Sequence, residues 1–184
     1  MEIEVSAEAK DKSLNRNVAI TVVVLSVFMG VCGIKDGNIV QAMQQAQSDS
    51  VDKWNQYQAA KTKLHVAEAS RLQIALLADP GRAAPVLAGL DRDIAKYKAE
   101  APGLAAEAKA RSDLYDALNV HDDQFDASDA SVATAISIAA VAALVESGWL
   151  LWAAWAFGAF GLFMGLCGFL GWSFHPALLS GVLG

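Results

Sequence analysis

The sequence predicts an all-α integral membrane protein with three transmembrane helices and a long extramembrane antiparallel helical hairpin, coiled-coil-like in its pattern. Three observations predict it. The 184-residue chain is 54% hydrophobic and only 18% charged, against ~45–50% and ~25% in an ordinary soluble domain. Its mean hydropathy is +0.32. Its apolar residues gather into three charge-free runs near the two ends, and the polar middle repeats apolar residues at three- and four-residue steps.

The elements follow in order. Residues 1–16 form a short N-terminus of mixed charge. Transmembrane helix 1 takes 17–35. Its charge-free run at 18–34 reaches ~26 Å, close to the ~30 Å of a hydrocarbon core. The segment before it mixes Glu2, Glu4, Glu8 and Asp11 with Lys10, Lys12 and Arg16, and no A-x-A-like site follows. An uncleaved anchor is therefore expected, not a signal peptide.

Residues 36–129 form the extramembrane hairpin. Asp79-Pro80-Gly81 divides it, which predicts one helix over about 38–78 and a second over about 85–126. Some forty residues per helix give an arm of ~60 Å. In the second helix the seam runs through Leu87, Leu90, Ile94, Tyr97, Ala101, Leu104, Ala108, Arg111, Tyr115, Leu118, Asp122 and Phe125. The first helix fits the same rule more loosely, at Val40, Met43, Trp54, Tyr57, Leu64, Ala75 and Ala78. Arm contacts are accordingly expected from Trp54, Tyr57, Leu87, Leu90, Ile94, Tyr97, Leu104, Tyr115 and Leu118. Pro102-Gly103 predicts a kink or a short break.

Transmembrane helix 2 takes 130–146. A tight turn at Glu146, Ser147 and Gly148 leads into transmembrane helix 3, 149–172, and a tail follows at 173–184. Trp149 and Trp152 at one end and Trp172 at the other are placed as membrane-interface anchors, ~35 Å apart.

Helix 3 carries small residues at Ala154, Gly158, Gly161, Gly165 and Gly168, all on one face. Lipid gives helices no hydrophobic drive to associate, so close backbone approach must hold them together. The stripe is a helix-packing or oligomer surface. Within one chain it would meet the Ala-rich helix 2, or Gly30 and Gly33 of helix 1.

Trp54 and Tyr57, one turn apart, read as seam packing or as anchors for a partner. His121, Asp122, Asp123, Asp126 and Asp129 read as a solvated acidic face. They lack the glycine and closing glutamate of a calcium loop, and no metal site is predicted. His65, His121 and His175 are too far apart in the hairpin for zinc. Cys32 and Cys167 read as small apolar packing residues. No charge lies within the three apolar runs, Lys35 and Glu146 standing at the very ends of their spans, which counts against an ion-coupled transporter.

Lys10, Lys12 and Arg16 before the first span place the N-terminus in the cytoplasm and the arm in the periplasm.

The pattern resembles a bacterial family of small three-span membrane proteins that carry a domain of unknown function. The sharpest match is Ser50-Val51-Asp52-Lys53-Trp54-Asn55-Gln56-Tyr57-Gln58-Ala59-Ala60-Lys61, similar to the family's S-D-x-W-x-x-Y-Q-A-K stretch after the first span. Ile94-Ala95-Lys96-Tyr97-Lys98-Ala99-Glu100 looks like its second, Lys/Glu-rich helix. The resemblance implies the layout of spans and hairpin and a location in the bacterial inner membrane, but no activity. Two features depart from it. Glu146-Ser147-Gly148, not a basic turn, precedes Trp149, and the middle segment is more Ala-rich than usual.

No phosphate loop, HExxH or CxxC is present, so no enzyme, cofactor or small-molecule substrate is predicted. The net charge of −6 gives no basic footprint for nucleic acid. The expected function is a non-enzymatic, membrane-anchored helical interaction or scaffold protein. Its partners would be membrane lipid and either further copies of itself or a larger membrane complex. The alternatives are a homo-oligomeric channel-like pore and a sensor without its own output domain.

Overall fold

A computed structural model of the chain describes residues 12–172 and Phe174. Of the expected N-terminus, 1–11 lie outside the described residues. So does the expected tail 173–184, His175 included, apart from Phe174. The described residues form three α-helices and no strand: α1 at Lys12–Leu77, α2 at Pro80–Leu144 and α3 at Gly148–Leu170. Each contains a stretch long and apolar enough to cross a membrane.

Two expected helix boundaries do not exist. The first span and the first arm helix are one helix of 66 residues. The second arm helix and the second span are one helix of 65. The physical reason is simple. An α-helix satisfies its backbone by its own i to i−4 bonds. A change from apolar to polar side chains at Lys35-Asp36 changes the preferred solvent and leaves the backbone ladder intact.

The expected start near residue 85 is also corrected. Asp79 Oδ1 accepts a 3.0 Å hydrogen bond from the Gly81 N–H. The Asp79 carbonyl accepts from Arg82 and Ala83 at 3.1 and 2.9 Å. Asp79 is thus the N-cap of α2, and Pro80 fills the first helical position, where no N–H is needed. The Asp-Pro-Gly signal marks the start of a helix more than a loop. Pro85 and Pro102 both lie inside α2. The helix runs through Pro102-Gly103 without the expected break, and both residues are exposed. The carbonyl that each proline leaves without a donor can then face solvent.

At the other end of α2, Glu146 takes the left-handed conformation at φ 52°. The Ser147 N–H reaches back to the Ala142 carbonyl at 3.0 Å. At the end of α3, Gly171 does the same at φ 68°, with Trp172 N–H on the Cys167 carbonyl. Both are Schellman caps.

The chain divides into two compact units. One is Ala42–Ala117, an antiparallel pair of helical segments. Lys53 pairs with Glu107 at 2.6 Å, Lys98 with Glu68 at 2.8 Å, and Arg71 with Asp91. Lys53 holds the Glu107 carboxyl below the ordinary range, and Lys98 does the same for Glu68. Small side chains line the seam: Ala46, Ser50, Ala60 and Ala67 from α1, and Ala83, Ala101 and Ala108 from α2. Ser50 Oγ donates to the Ala108 carbonyl at 3.1 Å, which requires close approach of the two backbones.

The other unit comprises the residues up to Gln41 and from Leu118 on. It packs three helical segments. Leu14, Val18, Ala139, Ala142, Leu151 and Ala154 form one buried cluster; Leu25, Val132 and Ala135 form another. This unit carries large apolar side chains on its outside as well as in its core. Its centre mixes Ala and Gly with Leu14, Leu25, Phe125, Val132 and Met164, while Val23, Val27, Ile34, Leu144, Phe157, Phe163 and Leu166 stand exposed on its outer surface.

Candidate functional site

The small-residue face of α3 is occupied within the chain. Ala154, Gly158, Gly161, Gly165 and Gly168 are all buried. A Cβ placed on Gly158 would meet the tip of Leu25 at 3.1 Å. On Gly161 it would meet Val132 Cγ2 at 2.7 Å and the Ser128 carbonyl oxygen at 3.0 Å. On Gly165 it would meet the Phe28 ring at 2.6 Å, and on Gly168 the Phe125 ring at 2.8 Å. The stripe therefore packs on α2 and on Leu25 and Phe28 of α1. Gly30 and Gly33, the alternative contacts on α1, have open space where a Cβ would stand.

Polar groups pin the same interface. Ser128 Oγ donates to the Gly161 carbonyl at 2.8 Å. Gln124 is fully buried, and its amide donates to the carbonyls of Trp172 at 2.8 Å and Phe174 at 2.6 Å. Its side-chain oxygen lies 3.0 Å from His121 Nδ1. Trp155 Nε1 donates to Thr21 Oγ1 at 2.9 Å, joining α3 to α1.

Acidic groups cluster near Gln124. Asp36 of α1 and Asp122 of α2 are within hydrogen-bond reach of each other. Burial and the neighbouring carboxylates push Asp122 up to about 6; burial, Asp36, Asp123 and Asp129 also raise Asp126. A cavity of about 150 Å³ lies beside them, lined by Cys32, Gly33, Asp36, Phe125, Asp126 and Asp129. The expectation of a solvated face holds for Asp126 and Asp129, which are exposed, and is corrected for His121, Asp122 and Asp123, which are half-buried. Here α2 turns Gln124, Phe125, Ala127 and Ser128 inward together, covering α1 and α3 at once. Among the described residues no three His, Cys, Asp or Glu side chains gather as a metal site would need. Cys32 and Cys167 are buried free cysteines.

The arm residues divide. Tyr57, Leu87, Leu90, Ile94, Tyr97, Leu104 and Tyr115 are half-buried in the Ala42–Ala117 unit, and Leu118 is half-buried in the other. Trp54 is not a seam residue; it is 40% exposed. The buried positions Met43, Ala46, Ser50, Ala60, Leu64 and Ala67 place Lys53 inward instead. The bulk of the tryptophan does not fit a seam narrowed to alanine. Its ring stands edge-on to Tyr57, with centroids 5.5 Å apart. Lys53, Glu107, Ala110, Arg111 and Leu114 line a groove of about 350 Å³. Trp149 and Trp152 near the start of α3, and Trp172 just past its end, are exposed.

Residues 14–171 match the family described as Domain of unknown function, DUF4337. The chain belongs to that family. No curated protein and no solved structure matches it. The match covers all three helices of this DUF4337 chain except Lys12 and Ser13 at the start of α1.

The residues that hold this DUF4337 fold together at Gln124, Ser128, Thr21, Trp155 and Asp36 did not stand out by motif. One signal for Asp36 was present. The hairpin turns at Asp79, and Asp36 and Asp122 are equidistant from it along the chain. Counting back from the turn in an antiparallel pair places them opposite each other.

Proposed function

We propose that this chain is a three-span membrane protein whose helical hairpin serves as a non-enzymatic interaction or scaffold surface. It would self-associate or dock as an accessory subunit on a larger membrane complex. The observation that carries this reading is the distribution of side chains on α3. Gly, Ala and Cys face inward together with Leu151 and Met164, whereas Trp152, Phe157, Phe160, Phe163, Leu166 and Phe169 face outward. Such a surface suits lipid, since in lipid the small residues belong at helix contacts and bulky apolar ones toward the tails. In water it would be an aggregation surface.

The spans in this reading are 17–35, 130–146 and 149–172, with the tryptophans at the ends of α3 in the interfacial zones. The membrane would be the bacterial inner membrane, with a cytoplasmic N-terminus and a periplasmic hairpin. Partner contact is assigned to the hairpin, where Val51, Trp54 and Leu114 are exposed. Trp is the residue type most often found at the energetic centre of an interface. The glycine stripe, already filled by the chain's own side chains, lends a channel-like assembly no support.

The test is the native mass of the protein extracted from its own membranes in mild detergent, with co-purifying proteins identified. A defined homo-oligomer or a stoichiometric complex that Trp54→Ala weakens supports the reading. A bare monomer refutes it.

A further inference from the structure

The structure holds two carboxyl groups against each other where a cation or a donor would be expected. Asp36 Oδ1 is buried, and no protein N–H or O–H donates to it. Its neighbour across the helix contact is the Asp122 carboxyl. The charged groups acting on Asp122 are Asp36, Asp126 and Asp123, all of them acidic. From α1, Cys32 and Asp36 face the cavity; Lys35 is exposed. From α2 come Phe125, Asp126 and Asp129. His121 is turned to Gln124. Helix α3 has no charged residue at all.

Two ionised carboxylates at hydrogen-bond range repel each other. One proton between them turns repulsion into a hydrogen bond, and it supplies the donor that Asp36 otherwise lacks. We propose that Asp36 and Asp122 share a proton, that this carboxyl pair ties α1 to α2, and that its loss at higher pH loosens the two helices there.

The sign follows from linkage. Burial raises both carboxyls; the Asp36 charge adds to the rise of Asp122, which reaches about 6, whereas the hydrogen bond from Asp122 partly offsets the rise of Asp36. In the unfolded chain they ionise near 4. The folded form therefore binds more protons between about pH 4 and 6. The stability contributed by the pair is fully present at the acid end and is lost as pH rises through about 6.

Two measurements on the full chain in detergent micelles test this. The first is a carbon-13 NMR titration of the aspartate carboxyls in the wild-type protein. One carboxyl is expected to titrate near 6, and to return toward the ordinary range in Asp36→Asn. The second is the melting temperature at pH 5 and pH 7.5. Wild type is expected to lose about 5 °C on going to the higher pH. Asp36→Asn keeps a donor in place of the proton and is expected to lose less than half as much. Both histidines of the described region remain in each variant, so the difference reads the pair. If every wild-type aspartate titrates below 5, the proposal is overturned. It is also overturned if Asp36→Asn keeps the raised carboxyl or the full wild-type pH dependence, because burial alone would then account for it. Should the variant not fold, the wild-type titration decides.

Discussion

The Ser128 hydroxyl donates a 2.8 Å hydrogen bond to the carbonyl oxygen of Gly161, so a side chain of α2 is bonded to the backbone of α3. The bond exists because Gly161 has no side chain to hold the two helices apart. Ser128→Ala should cost about 0.6–1.7 kcal/mol, the span from average to largest for hydrogen bonds between membrane helices. Unfolding in mixed micelles would measure it, and a cost near zero would mean that Gly161 packing holds the contact alone.

Alanine substitutions along the α3 stripe should differ in a set order. At Gly161 the new methyl meets backbone of α2, the Ser128 oxygen at 3.0 Å and the Val132 nitrogen at 3.1 Å, so a whole helix must shift. At Gly158 the tight contact is with the end of Leu25 at 3.1 Å, which can rotate, and the Ala135 methyl lies at an ordinary 3.7 Å. Gly161→Ala should fall in the range of about 1–3 kcal/mol typical of overpacking, and Gly158→Ala well below it. Equal melting temperatures for the two variants would contradict this packing.

Glu146 occupies a backbone position suited to glycine, at φ 52°. A side chain there costs roughly 1–2 kcal/mol relative to its right-handed form. Glu146→Gly removes most of that cost and should raise the melting temperature, whereas Glu146→Val should lower it. A fall with glycine would show that the glutamate side chain contributes something its backbone geometry does not reveal.

Gln124 supplies two hydrogen bonds to the chain just beyond α3, at the Trp172 and Phe174 carbonyls. Gln124→Leu fills similar space and leaves both acceptors without that donor. Loss of about 1–3 kcal/mol is expected. Amide exchange should rise first in the last turn of α3, and uniform exchange along the helix would count against a pinning role.

The seam of α2 was readable because Leu87, Leu90, Ile94, Tyr97, Leu104, Tyr115 and Leu118 are large and fall at coiled-coil spacing. The seam of α1 was not. Its inward positions are Ala46, Ser50, Ala60 and Ala67, and small residues give almost no signal in a hydrophobicity pattern. The large residues of that pattern, Val40 and Trp54, stand one position along from the buried Ile39 and the inward Lys53. The helix junctions at 36 and near 130 failed for another reason. A change of solvent preference is visible in side chains, but helix continuity is decided by backbone bonds. The glycine stripe was visible as a contact face; what it touches depends on the rotation of three helices about their axes, which no spacing within α3 encodes.

The polar pins of α3 also bear on the order of synthesis. Helix α2 leaves the ribosome first, carrying the Gln124 amide and the Ser128 hydroxyl. Their acceptors at Gly161, Trp172 and Phe174 come only with the last segment. A chain halted at the turn after α2 would present both groups, and the uncovered ring of Phe125, to its surroundings. Completion of α3 conceals all three together. The same bonds that fasten the finished protein thus distinguish a complete nascent chain from a truncated one.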